Sequence, residues 1–172
     1  MKQLLLILSL FLVWTCSSDI APAGHQRAEI LQIRDNTLAE ILALEPELVG
    51  TIKSAPAFAI FTNQSNDKLK LADGIGIGVI HNNLTGHNHF LLAETALTQQ
   101  PNTRLIFVFD NKQKIEQFIS YAQVIYDENL MAVHPTYNVN DIGLTVYLLN
   151  HQGELLPVTL EEGRFWQSER LN

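Results

Sequence analysis

Three histidines, His81, His87 and His89, fall within nine residues of one another. Imidazole is a common metal ligand, and a zinc site takes three or four nitrogen, sulfur or oxygen donors. His87 and His89 would share one face of a strand, and His81 could approach them across a hairpin. No cysteine or carboxylate stands within that hairpin to complete a set, and Asn83, Gly86 and Asn88 mark a solvated loop. No metal and no cofactor is therefore expected. Nucleophilic catalysis finds little support either. Ser54, Ser65 and Ser120 lie outside any Gly-x-Ser-x-Gly turn. Glu161 and Glu162 are adjacent, so on a strand they would point to opposite faces, which is wrong for a cooperating acid and base. The chain reads as a non-enzyme.

Cys16 is the single cysteine, which excludes an internal disulfide and calls for another role. It ends a segment with a positive start at Lys2 and an apolar run from Leu4 to Val13 broken only by Ser9. That run is too short to span a bilayer core of about 30 Å and suits a signal peptide over residues 1–15. Val13-Trp14-Thr15-Cys16 resembles the lipobox of bacterial lipoproteins. The resemblance implies a diacylglyceryl group on the Cys16 thiol, cleavage just before it and acylation of the new amine, for example by palmitate. Residues 16–24 would then form a lipidated tether, polar at Ser17-Ser18-Asp19 and loop-like through Ala21-Pro22-Ala23-Gly24. Ser17 after the cysteine resembles the signal for outer-membrane sorting. The expected location is the bacterial envelope, at the outer membrane facing the periplasm.

The 172 residues carry a formal net charge of −7, and 47% are hydrophobic. Loss of Lys2 with the leader takes the mature chain to −8. Such a surface repels polyphosphate, so nucleic acid is excluded as a general partner. Docking onto an anionic lipid surface by charge alone is disfavoured for the same reason. The length fits one domain, residues 25–172, with a core of its own.

The hydrophobic pattern supplies the elements that would position any site. His25 to Leu44 places Ile30, Leu31, Leu38, Ile41 and Leu42 near one helical face. Pro46 can open a second short helix that stops before Pro56. Ala57 to Phe61 reads as a strand, and Leu69 to Ile80 alternates as another. A hairpin loop follows at Asn82 to Gly86, then a return strand from His89 to Ala96. Leu105 to Phe109 is the clearest buried strand. Asp110 or Asn111 caps a helix from Lys112 to Ala122 with Ile115, Phe118 and Ile119 inward. Tyr126 to Tyr137 stays ambiguous. Asp141 to Leu149 and Glu154 to Leu160 form a hairpin around Gly153, and Phe165 and Trp166 return to seal the body. The fold class is α+β: N-terminal helices, then a mostly antiparallel β-sheet or barrel with one inserted helix.

Gly74, Gly76 and Gly78 alternate with Ile75, Ile77 and Val79. On a strand these glycines share one face, and bare backbone on a strand needs a reason. A packed helix, a sharply curved wall or a ligand such as an acyl chain would each supply one. In the last case Gly74, Gly76 and Gly78 are ligand-binding positions beside an apolar groove.

From about Leu44 to Asn172 the chain resembles the lipid-binding SYLF domain family. The resemblance is carried by Ala55-Pro56-Ala57-Phe58-Ala59-Ile60-Phe61, then Gly74-Ile75-Gly76-Ile77-Gly78-Val79, the strand Leu105 to Phe109, the helix with Phe118, Val146-Tyr147, and Gly163-Arg164-Phe165-Trp166. Where the family has a glycine-rich segment before the Leu105 strand, this chain has Gln99-Gln100-Pro101-Asn102-Thr103. The resemblance implies the fold, lipid association and membership among short bacterial lipoproteins. The expected function is an envelope-anchored, non-catalytic lipid- or partner-binding module, held to the membrane by its acyl chains, with a lipid ligand or an envelope protein as partner. The alternative is a structural or assembly lipoprotein acting through protein contacts only.

Overall fold

A computed structural model describes residues 21–129 and 131–172. The expected leader and Cys16 lie outside the described residues. Helix α1, Ala23–Leu44, buries Gln26, Ile30, Thr37 and Ile41 at intervals that keep them on one face. It starts inside the stretch expected to be tether, because Pro22 sets the entry and its carbonyl accepts from the His25 and Gln26 amides. Helix α2, Pro46–Ser54, begins at proline as expected and buries Leu48, Val49 and Ile52.

The strands are β1, Ala57–Thr62; β2, Ile75–Asn82; β3, Asn88–Thr95; β4, Arg104–Phe109; β5, Ile125–Tyr126; β6, Ala132–Val133; β7, Thr136–Asn138; β8, Thr145–Leu149; β9, Leu155–Val158; and β10, Glu162–Gln167. Helix α3, Lys112–Tyr121, is inserted after β4, with Asn111 accepting from the Lys114 amide at its start. Eight strands form one curled antiparallel sheet in the order β7-β10-β3-β2-β1-β4-β8-β9, while β5 and β6 pair as a separate hairpin. The fold is α+β with two leading helices and one inserted helix.

Each face of the sheet is covered by different residues. The inner face carries Phe61, Phe107, Phe109 and Phe165, closed over by Ile115 and Phe118 of α3. Their rings meet edge-on or tilted, with Phe118 and Phe165 centroids 4.9 Å apart and Phe61 and Phe107 5.4 Å apart, the arrangement that the ring quadrupoles favour. The outer face is covered by α1 and α2. Ile30 of α1 packs with Ile77, Val79 and Phe90, and Ile41 with Phe58, Ile60, Ile106 and Val108. Ion pairs tie α1 down: Glu29 to Lys68 and Glu40 to Arg104, each at 2.6 Å.

Residues 69–74 differ from the expected strand. Ala72 to Gly74 form a turn in which Gly74 has φ +75°, so β2 begins only at Ile75. At the far edges, β7 is three residues long and β9 contains Pro157, which has no amide hydrogen to donate.

Candidate functional site

The glycine strand faces inward. Gly78 pairs with Phe61 of β1 and Leu91 of β3. A Cβ at Gly78 would lie 2.6 Å from Phe61 Cδ1, and one at Gly76 would lie 3.1 Å from Thr98 Cγ2. Bare backbone is needed at Gly78 because the Ile60 carbonyl oxygen stands closest to that Cβ position and the Phe61 ring leans across the neighbouring strand beside it. The face expected to present Gly76 and Gly78 to a ligand is instead filled by the protein's own side chains. Helix α1 lies on the opposite face, over Ile77 and Val79.

Gly74 stands apart from the other two. It lines a polar hollow of about 300 Å³ with Asn63, Ser65, Asp73, Thr98 and Asn102. The loop from Thr95 to Thr103 forms one wall. Thr98 Oγ1 donates to the Gly74 carbonyl at 2.7 Å, and the Asn63 side chain donates to the Thr98 carbonyl at 2.8 Å and accepts from the Thr103 amide at 2.8 Å. Beyond the same loop lies a second hollow of about 460 Å³, lined by Glu94, Thr136, Glu161, Glu162, Gly163 and Arg164 among others. Glu94 and Arg164 are paired at 2.6 Å within it. A third hollow, about 190 Å³ and mostly apolar, opens beside Ile77 between Leu69, Leu71, Leu92 and Leu171.

The histidines do not converge. His81 pairs in register with Asn88, and its Nδ1 lies 2.8 Å from Asn88 Oδ1. His89 is the next residue along β3, so it points to the other face of the sheet. Among the described residues no group of three or more His, Cys, Asp or Glu side chains could hold a metal ion.

Phe165 joins the core, whereas Trp166 points the other way and stacks on His134, 4.5 Å between centroids and 15° between planes. His134 Nδ1 is buried without a hydrogen-bond partner. Burial holds the pKa of His134 below its ordinary value, and the nearby Arg164 cation adds to the effect.

The segment that the sequence left ambiguous carries an exposed apolar surface. Ile125, Tyr126, Met131 and Val133 are 47%, 55%, 64% and 40% exposed. They account for half of the large exposed hydrophobic side chains among the described residues, gathered on one short hairpin. Ile125 and Val133 are register partners and so share a face. Met131, two residues before Val133, belongs to that face. Two-residue strands leave too few positions for alternation to reveal them in a sequence.

No family model matches this chain, and neither does any curated protein. The SYLF resemblance rests on the motifs quoted above. No helix among the described residues is long and apolar enough to cross a membrane.

Proposed function

We propose that the protein is an envelope-anchored lipoprotein, held through acyl chains on Cys16 at the periplasmic side of the outer membrane. Its domain binds lipid or an envelope partner without catalysis, and it does so with its outer surface. One observation carries the surface reading: the Phe61 ring occupies the space over Gly78. A greasy tunnel behind the glycine strand has no room, while apolar side chains stand exposed on the β5–β6 hairpin. The leader and Cys16 support the anchor, since two or three acyl chains hold a protein stably where one does not.

Metabolic labelling with an alkyne fatty acid tests the anchor. Wild-type chain should take up label and Cys16→Ser should not; an unlabelled wild type removes the lipoprotein reading.

The assembly reading is favoured by a different observation. The 460 Å³ hollow is open and polar, with Glu161 and Glu162 beside the Glu94–Arg164 pair, which leaves two carboxylates to suit a basic segment of a protein partner. Crosslinking in cells from a photoreactive residue at Thr159, on the rim of that hollow, would yield one dominant protein adduct under this reading and none if the domain meets only lipid.

A further inference from the structure

We infer that the apolar face of the β5–β6 hairpin is a membrane contact, lying on the bilayer in which the protein is anchored. The inference rests on the lipoprotein reading above and identifies the surface that meets lipid. Its basis is where the tether enters the fold. The Arg170 guanidinium donates to the carbonyl of Ala21, and Arg27 donates to the carbonyl of Leu171 at 3.2 Å. The start of the described chain is thereby fastened to the C-terminal turn. The residue beside Arg170 is Glu169, whose carboxylate accepts from the Tyr126 hydroxyl at 2.8 Å. Neighbouring residues, with Cα atoms about 3.8 Å apart, thus hold the tether on one side and the hairpin on the other.

Cys16 is five residues before Ala21, a reach of at most about 18 Å when fully extended. An anchored cysteine keeps the C-terminal turn close to the headgroups, and the hairpin with it. There Ile125, Met131 and Val133 present one apolar face that the rest of the described chain leaves about half exposed. Glu128 at the turn and Asp127 beside it keep the contact shallow. Asp127 is spent on the turn itself, accepting from the Asn129 and Met131 amides at 2.9 and 2.8 Å. The hairpin therefore lies flat, side chains in the upper acyl region and carboxylates among headgroups, as interfacial segments do. The surface chemistry it fits is zwitterionic, because acidic groups at the turn oppose an anionic leaflet.

The test uses the full lipoprotein, purified in detergent and reconstituted into phosphatidylcholine vesicles. With Cys16 acylated, an engineered thiol is the only one free to react. Met131→Cys and Val133→Cys, both at exposed positions, carry an environment-sensitive fluorophore, and Gln100→Cys, exposed in the loop between β3 and β4, serves as the control. The expected result is a blue shift at 131 and 133 with quenching by brominated lipid, and a water-like spectrum at 100. Vesicles that float with a water-like probe at 131 and 133 overturn the hairpin contact and leave the anchor standing. A blue shift without quenching by lipid also overturns it, since a protein surface, such as a second copy, then covers the face. A wild-type protein that fails to float overturns the anchor and this inference together.

Discussion

Gly78 and Phe61 are register partners on β2 and β1, and the ring of Phe61 lies where a side chain at position 78 would have to go. The pair explains why a strand in the middle of a sheet can lack side chains on one face. It also relocates the interior: the space over the glycines is part of the aromatic core.

Gly78→Ala should therefore cost about 1–3 kcal/mol or more, since overpacking forces a buried ring or its backbone to move. Gly50→Ala is the opposite case. Gly50 lies in α2 with nothing within 4 Å of an added Cβ, so alanine should stabilise the fold by about 0.5–1 kcal/mol. Urea melts of the two variants read the contrast directly.

Asn83 joins the β2–β3 turn to the end of α2. Its side-chain amide donates to the carbonyls of Ile52 at 3.0 Å and Ala55 at 2.7 Å. Asn83→Ala leaves both acceptors short of a donor and should lower stability by about 1–3 kcal/mol, with faster amide exchange across α2. Unchanged exchange in α2 would contradict this account.

Acidification should loosen the protein through His134. Its pKa is lowered in the folded state by burial first and Arg164 second, while the unfolded imidazole titrates near the ordinary 6.5. Between those two values the unfolded chain binds more protons. Stability is thus fully present above about pH 6.5 and is lost as pH falls through the folded pKa. His134→Phe keeps a ring on Trp166 and removes the titration. Its melting temperature should fall less steeply than that of wild type between about pH 7.5 and about pH 5.5.

Zinc should leave the melting temperature unchanged. His81 is held by Asn88, and His89 lies on the other face of the sheet, so the site of three donors that would link binding to stability is not assembled. A rise with added zinc, abolished in His81→Ala, would contradict this geometry.

The helices and most strands were legible because their patterns are long. Ile30 and Ile41 repeat on one face of α1, Pro46 opens α2, and Leu105 to Phe109 forms an unbroken apolar run. The orientation of the glycine strand was not legible. Alternation assigns Gly76 and Gly78 to one face but cannot say whether that face meets a helix, a ligand or a neighbour's ring. That depends on Phe61, seventeen residues away in sequence and brought alongside by pairing. Residues 69–74 read as strand because Leu69 and Leu71 alternate with polar residues. A buried Leu69 under α1 and a left-handed Gly74 produce the same pattern without a strand. The β5–β6 hairpin escaped detection because its ordered register is only two residues deep.

The margins of the eight-stranded sheet carry a consequence for copies of this protein held close together. A sheet that does not close on itself offers two lines of hydrogen-bonding groups to any identical chain nearby. Here one border is a strand of three residues and the other is interrupted by Pro157. Neither favours templating of a growing ribbon, so copies brought to high local density, as the proposed anchor would bring them, are kept from polymerising through their backbones.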